Sequence, residues 1–435
     1  MKRLLIVSVI ILACFSCKQN HSSTCYRGNA SHTGYYQGDG PSAQPKLAWK
    51  FKTGGKVFSS PVLYHTTIFV GSDDNCVYAL SSKDGHVIWK FTTDGRVSSS
   101  AAVCNDVVYI NSFDGFLYAL NAKDGSLLWK FDMGGDKVFS ASNLHGIPTN
   151  GKMVDDPWDM YLSSPTVNNG MVLAASGNGS CVAIDAKSGK LVWKFQTGGV
   201  IHASSAVSGD SVYIASWDSY IYAINSKDGK EYWRFKTGTD SVYHNQVGFQ
   251  SSPVIDGKML YIGCRDAHLY ALDRFSGKQI WSYSTNGSWI ISSPAVYNEN
   301  VYFGTSDTYR IISLNASNGN VVFDKKVKSY VFSSPSLANN KLFVGGFSGF
   351  LYEVDLATQK IRTIFRTDGS TISGNEYMNA DSTLNTNKIF SEPSWDGMLK
   401  GVEKLYSMGS ILSSPLIDGD RIYFGSTDGF IYALE

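Results

Sequence analysis

Residues 57–91 read VFSSPVLYHTTIFVGSDDNCVYALSSKDGHVIWKF, and residues 97–131 read VSSSAAVCNDVVYINSFDGFLYALNAKDGSLLWKF. The two stretches match in their Ser-Ser start, their Tyr-Ala-Leu centre, their Lys-Asp-Gly turn and their Trp-Lys-Phe end. Within the first, four runs rich in Val, Ile, Tyr and Phe fall at about 59–64, 68–71, 76–81 and 87–91. Short β-branched and aromatic runs bounded by Asp, Asn and Gly predict strands, and links this short join neighbours antiparallel. One unit is therefore a four-stranded meander.

The unit recurs along the chain. Its Ser-Ser element begins at Ser59, Ser99, Ser163, Ser204, Ser251, Ser292, Ser333 and Ser413. The closing aromatic falls at Trp49, Trp89, Trp129, Trp193, Trp233, Trp281 and Phe323, with Thr363 in the eighth place. Eight four-stranded units of about 40 residues predict an all-β, eight-bladed β-propeller. The chain ends on FIYALE, three strands into its last blade, and LAWKF at 47–51 is a fourth strand without a blade. The N-terminal strand should complete the C-terminal blade, which removes the open edges of an unclosed array. The recurring Trp is expected to fill the seam between blades and to give its indole N–H to backbone.

Bulk composition agrees. The 435 residues carry a net charge of +1, so no basic footprint argues for nucleic acid. Charged residues are 17% and aromatics 13%, with 42 Gly and 25 Tyr, the profile of many short strands and tight turns. The first residues, MKRLLIVSVIILACFSCKQN, place Lys2 and Arg3 before an apolar run that is short for a membrane span. They read as a signal peptide over 1–17 with a lipidated Cys17, or alternatively Cys14. Residues 18–44 form an arm and 45–435 the propeller. Cys25, Cys76, Cys104, Cys181 and Cys264 show no disulfide or metal spacing and read as apolar thiols.

The unit resembles the PQQ-like repeat, on YALNAKDGSLLWKFDMGG and YALSSKDGHVIWKFTTDG, over about 45–435. RGNASHTG, Arg27 to Gly34, is similar to the arm that precedes such propellers. The resemblance implies one of two functional branches. Quinoprotein dehydrogenases hold PQQ and Ca²⁺ in the axial funnel. A non-catalytic branch includes the lipid-anchored outer-membrane assembly factor BamB. The dehydrogenases carry an adjacent Cys-Cys pair, and this chain has none. The resemblance thus implies first a monomeric, lipid-anchored scaffold at the outer membrane, facing the periplasm and binding an envelope protein or small ligand. A PQQ/Ca-dependent oxidoreductase and a glycan-binding or sensing propeller are the alternatives. Lys18 after Cys17 favours the outer membrane by the same resemblance.

Departures from the repeat locate the candidate site. Insertions at 140–162, 240–250 and 370–412 all lie between a blade's last strand and the next Ser-Ser element. They therefore project from one end, the top, together with the turns between second and third strands. Long loops on one face of a rigid body are where binding concentrates. Trp158, Trp217, Trp289 and Trp395 fall on that face, as do His145, His202, His244 and His268. CRDAHLYALD, 264–273, puts Arg265, Asp266 and His268 in a turn that is elsewhere Asp-Gly. Candidate ligand or partner residues are thus His202, Trp217, Asp218, His244, Asn245, Gln246, Arg265, Asp266, His268, Trp158 and Trp289. The competing reading is an internal network in which Asp266 pairs with Arg265 and caps its own turn. Asp155, Asp156 and Asp159 are the weak metal candidates, in a loop without the glycine turn of a calcium site. No catalytic residue is assigned.

Overall fold

The alternation of the repeat sets every blade. In the first, Val62–Tyr64, Thr67–Ser72, Cys76–Ser81 and Val87–Thr92 pair in sequence order, all antiparallel. The inner three strands are almost wholly buried, and the last is mostly exposed, with Trp89 its one buried position. Eight such sheets form the propeller. The computed structural model describes residues 23–42, 44–238 and 247–435. Closure is as the termini predict: Leu47–Lys52 pairs antiparallel with Phe430–Leu434 as the outer strand of the last blade.

The seams explain the repeated Trp. Trp49, Trp89, Trp129, Trp193, Trp233 and Trp281 each donate Nε1–H to a backbone carbonyl of the next blade, at 2.8–3.1 Å. Each indole also lies over a glycine there. A Cβ on Gly85, at φ +74°, would sit 2.5 Å from the Trp49 ring, so the Trp and the left-handed Gly of Lys-Asp-Gly form one device. Where the aromatic shrinks to Phe323, the next blade carries Gln359 rather than glycine at positive φ.

Two details of the repeat register differ from the sequence reading. In the fourth blade Ala203-Ser204 takes the place of Ser-Ser, since Ser164 N–H bonds Ser204 Oγ and Ser204 N–H bonds Ser252 Oγ. In the seventh blade the Trp position is Arg362, not Thr363. Lys360–Arg366 has an extra residue, which moves its bulge and sets Arg362 opposite Glu353. Arg362 and Glu353 form an ion pair where six other blades set Trp on Ala. The blade beyond has no turn after Leu434 for an indole to cover, because its last strand comes from the N-terminus.

The axis is closed. The second serine of each element, Ser60, Ser100, Ser164, Ser204, Ser252, Ser293, Ser334 and Ser414, lines a cavity of about 30 Å³, room for roughly one water. Seven backbone N–H groups bond the next serine's Oγ around this ring, at 2.8–2.9 Å. The arm plugs the ring from below. Its carbonyls at Ala30, Ser31, Thr33 and Gly34 accept N–H groups from the inner strands of four successive blades. Tyr26 hydroxyl reaches Ser293 and Ser334, and buried Arg27 donates to the carbonyls of His32, Pro294 and Pro335.

Above the ring, two insertions build a cap. The 370–412 insertion and the two residues before it form α1, Asp368–Tyr377, α2, Thr386–Ile389, and α3, Trp395–Ser407. Thr367 and Ser394 cap α1 and α3 through their side-chain oxygens. The buried face of α3, Val402, Leu405 and Tyr406, packs with Trp158 and Met160 of the other insertion onto Phe58, Ile291, Phe332 and Leu412. Cys25, Cys76, Cys181 and Cys264 are buried, Cys104 is partly exposed, and all five are free thiols.

Candidate functional site

The 140–162 insertion is the keystone of the top face. A short hairpin, Ser140–Ala141 with Val154–Asp155, returns the chain to a tight turn in which Asp159 N–H bonds the Asp156 carbonyl. That turn aims Asp156 and Asp159 inward and leaves Asp155 exposed, bonded to Ser140. The three carboxylates therefore serve three different partners. Among the described residues no three His, Cys, Asp or Glu side chains converge to hold a metal ion.

Asp156 meets Arg265. Arg265 Nη1 donates to Asp156 Oδ2 at 2.5 Å, with both side chains almost fully buried. Its guanidinium lies between two indoles, 4.7 Å from the Trp217 ring centre and 3.8 Å from that of Trp289. Phe139 stacks on Trp217 at 4.2 Å. His145 Nε2 and Trp158 N–H both reach Asp156 Oδ1, at 3.0 Å. Burial alone would raise the Asp156 carboxyl, but Arg265 and His145 outweigh it and hold it far below the usual carboxylate range. The internal pairing of Arg265 is thus with Asp156, not with its neighbour Asp266: a partner 109 residues away reaches the guanidinium because the insertion folds back over the blade.

Asp159 meets His202. His202 Nδ1 lies 2.8 Å from Asp159 Oδ1 and Nε2 lies 3.0 Å from Asp136 Oδ1. Burial opposes a charged imidazole here, yet Asp159 and Asp136 raise its pKa to about 10, so both ring nitrogens donate. Phe139 N–H bonds Asp159 and Gly177 N–H bonds Asp136, which ties the insertion to two blades. Because the folded value lies above the ordinary 6.5, the contribution to stability is complete below about pH 6.5 and is lost as pH rises through 10. The unfolding free energy should therefore fall between pH 7 and 10, by an amount on the order of a few kcal/mol, and His202→Gln should flatten that profile. An unchanged slope in the variant would contradict this assignment.

The remaining candidates do local work. Asp266 caps its own turn through His268 N–H at 3.1 Å and accepts the Tyr270 hydroxyl. Asp218 does the same with Tyr220 N–H and Tyr222, as Asp114 does with Phe116 N–H and Tyr118. Both belong to the repeat. His268 is partly exposed beside Asp266, which raises its pKa. His244, Asn245 and Gln246 lie outside the described residues, as do Cys14 and Cys17.

A pocket of about 490 Å³ opens between the insertion, α3 and the top turns of the sixth blade. Trp158, Trp289, Tyr330, Phe332, Phe390 and Met398 form its apolar wall; residues 286–288 and 306–308 with His145 form the polar one. This volume lies in the range of small-ligand sites. Trp158 and Trp289 are legible in sequence as tryptophans off the repeat; Tyr330, Phe390, Met398 and Asp307 carry no such signal.

PQQ does not fit these cavities. It is a tricyclic tricarboxylate. The axial cavity is about 30 Å³, and among the described residues no Lys or Arg lines the top-face pocket to meet three carboxylates.

A family model described as outer membrane protein assembly factor BamB matches residues 42–154, 156–361 and 246–435. Among solved structures, BamB from Moraxella catarrhalis is similar with a TM-score of 0.64 at 14% identity, over 90% of this chain and 98% of that one. Quinohemoprotein alcohol dehydrogenase ADHIIG from Pseudomonas putida HK5 gives 0.67 at 14%, over 95% and 80%. A europium-containing methanol dehydrogenase gives 0.66 at 16%, over 94% and 98%. At these identities the likeness is one of fold. No curated protein matches the sequence.

Proposed function

The chain belongs to the family of the outer membrane protein assembly factor BamB, and from that premise we propose a non-catalytic scaffold of the cell envelope that engages an envelope protein through its top face. The observation that carries this reading is the closed axis. A serine ring plugged from below by Tyr26 and Arg27, and capped by two insertions, leaves an axial cavity of only about 30 Å³ among the described residues. What remains is a rigid body whose elaborated surface is the cap.

The arm supports an orientation. Its first described strand, Ser23–Thr24, pairs with Ala102–Cys104 at the bottom of the second blade. Were Cys17 lipidated, the six residues to Ser23 would reach at most about 20 Å, so the bottom would face the membrane and the cap would face away. No helix among the described residues is long and apolar enough to cross a membrane. The reading places the protein at the outer membrane on the periplasmic side, held by lipid alone.

Calorimetric titration of the purified chain with PQQ, with and without Ca²⁺, tests the reading against its oxidoreductase rival. The expected result is no saturable heat. Binding near one per chain would overturn the scaffold reading and bring an alcohol and sugar substrate screen forward.

A further inference from the structure

The top-face pocket carries a sign. Its walls hold five aromatic rings, Trp158, Trp289, Tyr330, Phe332 and Phe390, and among the described residues Asp307 is its one carboxylate, with no Lys or Arg in the lining. Asp307 is exposed, accepts the Ser306 hydroxyl at 2.6 Å, and lies close enough to Tyr330 to help burial raise that hydroxyl's pKa. Arg310, the cation closest in sequence, is engaged by Asp324. The carboxylate is thus left to face whatever enters.

Aromatic faces attract cations through their quadrupole, by ~0.5–2 kcal/mol according to exposure. This molecule already uses one of these rings that way: Trp289 carries the Arg265 guanidinium at 3.8 Å. The Arg265 charge is neutralised by Asp156, so it does not repel a second cation in the pocket. Aromatic walls with one unpaired carboxylate are the chemistry of an organic-cation site. A tricarboxylate has the wrong sign, and a neutral sugar leaves the Asp307 charge unanswered.

We propose that this pocket receives an organic cation, an alkylammonium or guanidinium group with apolar shoulders, held between the aromatic wall and Asp307. The proposal rests on the top face being the binding face. The group could arrive on a partner's Lys or Arg side chain or on a free amine, and the chemistry of recognition is the same.

The test titrates the full chain with choline, its neutral isostere 3,3-dimethyl-1-butanol and N-acetyl-argininamide, read by tryptophan fluorescence and calorimetry. Both cations should saturate, and the neutral isostere should bind at least about 10-fold more weakly than choline. Asp307→Asn should weaken both cations about 10-fold without shifting the melting temperature, because Asp307 is exposed and bonded only to its neighbour. Tighter argininamide assigns the site to a partner's side chain; tighter choline assigns it to a small amine. Equal binding of the isostere, unchanged affinity in Asp307→Asn, or no saturation by either cation up to about 10 mM overturns the proposal. If cations fail while partner contacts at the cap persist, this inference alone falls. If cations bind and those contacts are missing, the scaffold reading falls instead.

Discussion

Removing residues 1–52 should abolish cooperative folding, whereas removing 1–44 should not. The difference is one strand. Leu47–Lys52 closes the ring on Phe430–Leu434; without it the last blade exposes a row of unpaired N–H and C=O groups, and the first blade loses the Trp49 seam. An open edge of that length invites edge-to-edge aggregation. The arm, by contrast, contributes contacts inside an already closed ring. A circular permutant isolates the cause. In the first blade Ser81 N–H bonds the His86 carbonyl across Ser-Lys-Asp-Gly, and Glu435 N–H bonds the Lys46 carbonyl at 3.0 Å in the equivalent place. Joining Glu435 to Lys46 by Ser-Lys-Asp-Gly, with new termini before Val57, should restore a single sharp melting transition. A soluble, two-state Δ1–52 chain would show that closure contributes little.

Asp156→Asn has the second largest expected effect, a loss of about 3–5 kcal/mol. Asn keeps the oxygen that accepts the Trp158 N–H but removes the charge that neutralises Arg265. Arg265 is 1% exposed, and its Nε and Nη2 already have no hydrogen-bond partner. The guanidinium would keep its two indoles, but the parent has those contacts as well, so they do not offset the cost of a buried unpaired cation. Denaturant unfolding followed by near-ultraviolet dichroism should report the loss in the tryptophan signal. Adding Arg265→Met, which removes the stranded charge and keeps apolar volume between the rings, should recover most of it. A single variant within about 1 kcal/mol of the parent would mean that water reaches Arg265.

The repeat made the fold legible, because the blades restate the same four apolar runs and turn chemistry, and six of them the same seam Trp. Even the closure could be read from three strands at one end and one at the other. What escaped were the places where blades compensate for one another. Thr363 stands in the Trp column of the sequence, but an extra residue in its strand gives that position to Arg362, which only pairing with Glu353 reveals. The candidate site was legible by face and not by partner. Tryptophans and histidines off the repeat marked the top, yet Arg265 finds Asp156 and His202 finds Asp136 and Asp159 across 43 to 109 residues. No local spacing encodes such meetings. Asp218 and Asp266 stand beside unusual neighbours, although the carboxylate itself is the repeat's own turn cap.

Site-specific photo-crosslinking in the intact envelope tests the central claim most directly, with one probe at Leu399 on the exposed side of α3 and one at Phe275 on a bottom turn. The account predicts adducts from position 399 with a component of the outer-membrane protein assembly machinery, and none with that component from position 275. The same adduct from 275 and not from 399 would contradict it, because the binding face would then be the one opposite the cap.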